Sequence, residues 1–443
     1  MKVYDLLIVG AGTAGCIAAK TAAEKGLDVC LIDCKPEDKV GDKVCGDAVG
    51  KHHFDRLGLS YPAGEEFECD MHGTDVYSPD LKTVFRIEGK GVSAFGINRY
   101  KFGQRLLKEA LSKGIIFHDC TVALTPLIEE GFVKGVNAQN SKEGWKQDIR
   151  GKITIDASGV SGIVRQNLPD KFGLERRIDS KDLMGCYREI RSNVKSDSDF
   201  SEIYLTEQAA PGGYYWIFHK GEGKANVGLG VQMREGYLKP KAQLYKYVLS
   251  RREFKNSKII HGGGGIVPTR RPLDCLVANG IMLIGDAACL VNPIHGGGIG
   301  PSMLSGRLAA EAATDAIALG DLSRDGLWQY NIDYMKEYGG KQAGLDIFRI
   351  FLQSIVDDEL NYGMKHQLVK REDVLKASLT GSLKLSITDK AERAFKNLGR
   401  LGFLIRLRNT AKKMRQIKKM YLEYPSPKDL ERWKTKVVTI YAG

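Results

Sequence analysis

Val3-Tyr-Asp-Leu-Leu-Ile-Val9, then Gly10-Ala-Gly12-Thr-Ala14-Gly15, then Val29-Cys-Leu-Ile32 and Asp33 decide how this chain is read. The order is strand, glycine turn, helix, strand, acid, the arrangement that holds the ADP half of a dinucleotide. Gly10 permits the tight turn. Gly12 lets the backbone approach a pyrophosphate. Ala14 and Gly15 let the helix lie close to the strand, with its N-terminus toward the phosphates. Asp33 stands eighteen residues past Gly15, where a carboxylate can accept ribose hydroxyls. The glycines alone would be a weak signal. The two strands, the helix and the acid around them make it strong.

Two later segments repeat the theme. Ile153-Thr-Ile-Asp156-Ala-Ser-Gly159 reads as a strand running into a turn, with Asp156 and Gly159 at the cofactor. Ile281-Met-Leu-Ile-Gly285-Asp286 reads as a strand ending in Gly-Asp. It is followed by Asn292-Pro293-Ile-His-Gly296-Gly297-Gly298 and a small-residue helix. Asp286 suits a ribityl chain, and the N–H groups beyond Pro293 suit a pyrophosphate or a flavin carbonyl. Between these lies Arg99, at the start of an amphipathic helix. These three fingerprints in this order resemble the glutathione-reductase-type FAD fold of the p-hydroxybenzoate hydroxylase group. The resemblance implies an α/β FAD-binding Rossmann domain with an inserted antiparallel β domain and a C-terminal helical region.

The chain has 443 residues, enough for two or three domains. The expected parts are an FAD-binding domain over 1–175 with a break near 75–95, a β-rich substrate domain over 176–271, a second FAD-binding part over 272–340, and a helical region over 341–443. No apolar run is long enough to span a membrane. With the first strand starting at Val3, no signal peptide is expected, and a cytoplasmic protein is. Nine cysteines without a CxxC pair give no support to zinc or iron–sulfur sites. The net charge of +12 is concentrated late: Lys390 to Tyr421 carries eleven Lys or Arg and one Glu, interleaved with apolar residues. Such a stretch suits the inner face of an anionic membrane, or equally a helix that packs its apolar side on the protein. Nucleic acid is not the expected partner.

Pro211-Gly-Gly-Tyr214-Tyr215-Trp216-Ile-Phe218-His219 points to the chemistry. On a strand, Tyr214, Trp216 and Phe218 share one face, and Tyr215, Ile217 and His219 the other. Three aromatics in a row form a long apolar wall suited to a prenyl chain, or form an ordinary aromatic core strand.

The PxxYxWxF pattern resembles the signature of the geranylgeranyl reductase family, with His219 where that signature has a further proline. Lys43-Val-Cys45-Gly46-Asp47 resembles the family's cysteine–glycine loop near the flavin. Val267-Pro268-Thr269-Arg270-Arg271-Pro272 and Val291-Asn-Pro293-Ile-His295-Gly296 match archaeal members. The resemblance implies FAD as cofactor, with Cys45 and Gly46 beside it. It also implies saturation of geranylgeranyl chains on a diphosphate or a glycerophospholipid, with hydride from flavin N5. Tyr214, Tyr215, Trp216, Phe218 and Cys45 would serve catalysis. Tyr214, Trp216, His219, Arg270 and Arg271 would hold substrate, the arginines at its anionic head. The proton donor stays open among Cys45, Tyr215, His53, His295 and water. A single dinucleotide fingerprint leaves NAD(P)H and ferredoxin open as reductants. The rival reading is a monooxygenase or halogenase on the same fold.

Overall fold

The computed structural model describes residues 2–89, 91–195, 198–383 and 401–442. The opening strand Val3–Val9 is buried from Leu6 onward and lies between Lys146–Asp156 and Val29–Ile32, parallel to both. These belong to an eight-stranded sheet that continues to Ile281–Leu283 on one side and Ile116–His118 on the other. Near-continuous burial of Leu6-Leu-Ile-Val9 and Val29–Ile32 is what a parallel sheet covered on both faces requires.

Small residues set the distance between the two central helices, Thr13–Glu24 and Ile299–Leu319. A Cβ on Gly306 would lie 2.3 Å from the Ala14 carbonyl oxygen, and one on Gly15 would lie 1.9 Å from that of Gly10. No side chain fits at either contact, so both helices depend on glycine there.

The second sheet has seven strands, in the order Lys258–Pro268, Leu183–Ser192, Ala225–Gln232, Tyr214–His219, Phe200–Tyr204, Gly73–Tyr77 and Val84–Glu88. Two of its strands, Gly73–Tyr77 and Val84–Glu88, come from inside the range 1–175, at the break expected near 75–95. Gly73–Tyr77 pairs in parallel with Phe200–Tyr204, so a long-range pairing carries it into this sheet. Gly262–Gly265 lies within the edge strand Lys258–Pro268 and not in a phosphate-binding turn.

The late region is helical. Leu401–Leu422 buries Phe403, Leu404, Leu407, Met414, Ile417 and Tyr421, packing against Gly340–Leu352. Over these residues, packing on the protein takes the apolar side. Lys390 to Arg400, the start of the basic stretch, lies outside the described residues. No helix among the described residues is long and apolar enough to cross a membrane.

Candidate functional site

The glycine turn is built as its sequence requires. Gly10 has φ +109°, and a Cβ there would lie 2.5 Å from the Ala157 carbonyl oxygen. Asp33 accepts from the Ala11 N–H at 2.7 Å and the Lys35 N–H at 2.8 Å, which ties the second strand to the turn. Arg99 is buried and donates through Nη2 to Thr13 Oγ1 at 2.6 Å, at the start of the first helix. Its other terminal nitrogen, Nη1, is buried without a partner among the described residues. A Cβ on Gly12 would meet nothing nearer than Lys43 Nζ at 3.9 Å, so the turn leaves open the space a pyrophosphate needs. The unmatched guanidinium nitrogen and this open cradle fit the phosphates of FAD.

Other expected cofactor residues make hydrogen bonds that shape the loops carrying them. Asp156 is fully buried. Its oxygens accept from Ser158 N and Oγ and from the Val164 and Arg165 N–H groups, so it caps the turn that carries Gly159. The loop after Pro293 is also more closed than expected. Asn292 Oδ1 accepts from the Ile294 and His295 N–H groups, the Asn292 carbonyl from Gly296, and His295 Nδ1 from Gly297. Pro293, Gly296 and Gly297 therefore shape the loop, and their neighbouring amides face inward. Gly298 is the glycine at Asp286: a Cβ there would lie 3.3 Å from Asp286 Oδ1.

The aromatic strand faces this loop. Ring centroids run Tyr214 to Trp216 at 5.9 Å and Trp216 to Phe218 at 6.1 Å. The Tyr214 hydroxyl donates to the His295 carbonyl at 2.7 Å. At the other end, a Cβ on Gly46 would lie 3.1 Å from Phe218 Cε2. The wall thus runs from the His295 loop to the cysteine loop. Its neighbours on the next strand, Gly230 opposite Tyr214 and Gly228 opposite Trp216, carry no side chain to cover it.

Two residues with no assigned role in the sequence reading hold the cysteine loop against the sheet. Arg188 Nε and Asn226 Nδ2 both donate to the Cys45 carbonyl, at 3.1 and 2.8 Å. Asn226 also accepts from Trp216 Nε1 at 3.0 Å, so one amide links the wall to the loop. Asp47 has φ +62° and is held by Asn226 and by Lys220, each at 2.9 Å. Lys220 is itself buried and also pairs with Glu68. Burial and the Asp47 charge push the Cys45 thiol up, which keeps its proton on sulfur at neutral pH. An amide inside the otherwise apolar run Ala225–Val231 was the signal available for Asn226. Replacing Lys220 by Met removes the cation from a buried carboxylate. The fold should lose about 3–5 kcal/mol by chemical denaturation.

Five of the expected residues lie elsewhere. Tyr215 points to the opposite face, stacked on Tyr204 at 4.4 Å and bonded to Arg251, with burial raising its hydroxyl to about 12. It packs with Tyr204, Ile217, Val227 and Leu229 in a core on the far face of the seven-stranded sheet, away from the wall. His219 is buried on that same far face, with Nε2 3.7 Å from Glu202 Oε1. Arg270 is buried in an ion pair with Glu175, and Arg271 pairs with Asp274 and Tyr421. Their guanidinium groups are occupied by partners inside the protein and are not presented to a substrate head group. His53 is packed on the helix Ile299–Leu319, where a Cβ on Gly300 would lie 2.2 Å from its ring. Burial lowers its pKa to about 2 and leaves it neutral.

Comparison with known proteins agrees with this geometry. Residues 182–267, which contain the aromatic strand, match the geranylgeranyl reductase catalytic domain. Residues 5–59, which contain the glycine turn, match the glucose inhibited division protein A family. The chain is 44% identical to the digeranylgeranylglycerophospholipid reductase of Sulfolobus acidocaldarius, over 98% of this chain and 96% of that one. It is 34% identical to the protein of that name from Methanosarcina acetivorans, over 89% and 99%. Among solved structures, a geranylgeranyl bacteriochlorophyll reductase-like protein of Thermoplasma acidophilum superposes with a TM-score of 0.79 at 27% identity, covering 90% of this chain and 99% of that one. A flavin-dependent brominase, at TM-score 0.65 and 21% identity over 89% and 98%, shares the fold. With FAD as its cofactor, the chain belongs to the geranylgeranyl reductase family, among the digeranylgeranylglycerophospholipid reductases.

Proposed function

We propose that this protein saturates carbon–carbon double bonds of geranylgeranyl chains carried on a glycerophospholipid or a diphosphate. The observation that carries the reading is the row Tyr214, Trp216 and Phe218 lying between the cysteine loop and the His295 loop. FAD, once reduced, supplies the hydride for the alkene. Protonation of a trisubstituted alkene at its less substituted carbon builds positive charge at the tertiary carbon, the carbon that accepts the hydride. The faces of the three rings stabilise that charge and keep the chain straight beside the loop. Gly228 lets the Trp216 indole lie flat on the next strand, where a Cβ would stand 2.4 Å from the ring, and the apolar wall excludes water. Arg188 and Asn226 position Cys45, whose thiol holds a proton at Sγ for the second carbon. Among the side chains open as donors, Tyr215 faces away and burial holds His53 and His295 neutral, which favours Cys45.

The proposed division of labour follows the two sheets, with the eight-stranded sheet holding cofactor and the seven-stranded sheet holding substrate. The reductant is either NAD(P)H, binding transiently, or an acidic ferredoxin drawn by the net positive charge. The basic outer side of Leu401–Leu422 supports contact with an anionic membrane surface, where the lipid substrate resides. Incubation of the purified holoenzyme with digeranylgeranylglycerophospholipid and dithionite, followed by mass spectrometry of extracted lipid, tests the activity. Products heavier by successive pairs of hydrogens are expected. Recovery of unchanged lipid, or of oxygenated or halogenated lipid, would refute the reading.

A further inference from the structure

With Arg270 and Arg271 neutralised internally, the site needs another source of positive charge for a phosphate. One lies beside the His295 loop, where four elements converge. The helix Lys51–Leu57 brings His52 and Arg56, the loop brings His295, Gly340–Leu352 brings Lys341, and Leu401–Leu422 brings Lys418. His52 and His295 are exposed, Arg56 is exposed, and Lys341 and Lys418 are partly accessible, so these groups line open space. Arg56 has an acid partner, Glu337. Lys341 has none among the described residues: its ammonium lies 5.2 Å from the Tyr338 ring centroid, and the charges that act on it are Arg56 and Lys418. Burial and these two cations lower its pKa to about 8, a condition that a bound anion would relieve. Nearby acids are engaged elsewhere, Asp55 with Tyr61 and Glu311 with Arg307. The cluster adjoins the substrate wall, because the Tyr214 hydroxyl bonds the His295 carbonyl.

We infer that Lys341, with Arg56, Lys418 and the neutral donors His52 and His295, binds the phosphate-bearing head group of the prenyl substrate. Ammonium and guanidinium groups supply charge, and neutral imidazoles add directional hydrogen bonds. The inference rests on the reductase reading for the identity of the tail and on the cluster itself for the anion. The head is fixed at the His295 loop, and the chain extends along the wall from Tyr214.

Two measurements separate these parts. In the first, Lys341 of the holoenzyme is labelled with an amine-reactive reagent and quantified by mass spectrometry, with inorganic pyrophosphate, glycerol phosphate or NADP+ as the probe. Protection of at least several-fold by pyrophosphate or glycerol phosphate is expected. The stronger of the two identifies a diphosphate or a phospholipid head. Absence of protection, or protection by NADP+ alone, overturns the inference whether or not the enzyme reduces prenyl chains. In the second, Lys341→Gln is compared with wild type under dithionite reduction. The ratio of KM for geranylgeranyl diphosphate to KM for geranylgeraniol should rise about tenfold, and Lys341→Arg should restore most of it. An unchanged ratio in Lys341→Gln contradicts the assignment.

Discussion

Gly12→Val should give a folded protein that purifies almost free of FAD. Gly12 has φ −71° and ψ −175°, an extended conformation open to any residue, and its Cβ would meet only Lys43 Nζ at 3.9 Å. The protein therefore tolerates the side chain, whereas the pyrophosphate does not. The isopropyl group fills the space the turn leaves open for the phosphates. Affinity for FAD should fall on the order of a hundredfold, equivalent to about 2.7 kcal/mol, as measured by titration of apoprotein. Full flavin content in Gly12→Val, at a wild-type ratio of flavin to protein absorbance, would show that the cofactor lies elsewhere. Gly15→Val differs in kind. Its Cβ would lie 1.9 Å from the Gly10 carbonyl oxygen, so it should fail to fold and not merely fail to bind.

Trp216→Ala should retain FAD and lose most of its reductase activity. The indole fills the centre of the wall, where it is buried, and it donates to Asn226, which in turn holds Cys45. Its removal takes away a π face, opens the apolar channel to water and loosens the cysteine loop. A decrease of tenfold or more in kcat is expected, with FAD content unchanged. Loss of a large buried ring also costs about 3–5 kcal/mol of stability, so assays belong well below the melting temperature of the variant. Trp216→Phe keeps an apolar face and loses the donor. It should fall between the two, which separates ring from hydrogen bond. Undiminished turnover of every prenyl substrate by Trp216→Ala would make the strand a core element only.

These contrasts show which parts of the molecule are legible in a sequence. The glycine turn is local: strand, turn, helix and acid lie within the first 33 residues, and Gly15 answers to the Gly10 carbonyl inside that unit, although Gly10 itself also packs on Ala157. The aromatic face is legible because strand alternation fixes it, and the same alternation separates Tyr215 and His219 from the wall. The acids and arginines were harder. Asp156 follows a strand just as a ribose-binding acid would, but the turn it caps closes back on it through four donors. Arg270 looks free in the run Pro268-Thr-Arg-Arg-Pro272, and Glu175, its partner, is 95 residues away. The Lys220–Asp47 pair spans 173 residues and ties the cysteine loop to the end of the aromatic strand, so no spacing along the chain could announce it. Charged residues are assigned by their partners, and partners are set by tertiary structure.

The reductase account can be tested in a single turnover. Flavin in the holoenzyme is photoreduced under strict anaerobiosis and mixed with a geranylgeranyl phospholipid, and the oxidised-flavin absorbance is followed while lipid is sampled. The account predicts that the absorbance returns without oxygen, one flavin oxidised for each double bond saturated. It predicts that Trp216→Ala slows this return while the bound flavin remains. Flavin that stays reduced beside the lipid until oxygen is admitted, with no saturated product, would contradict the account and place this protein with the oxygen-using members of its fold.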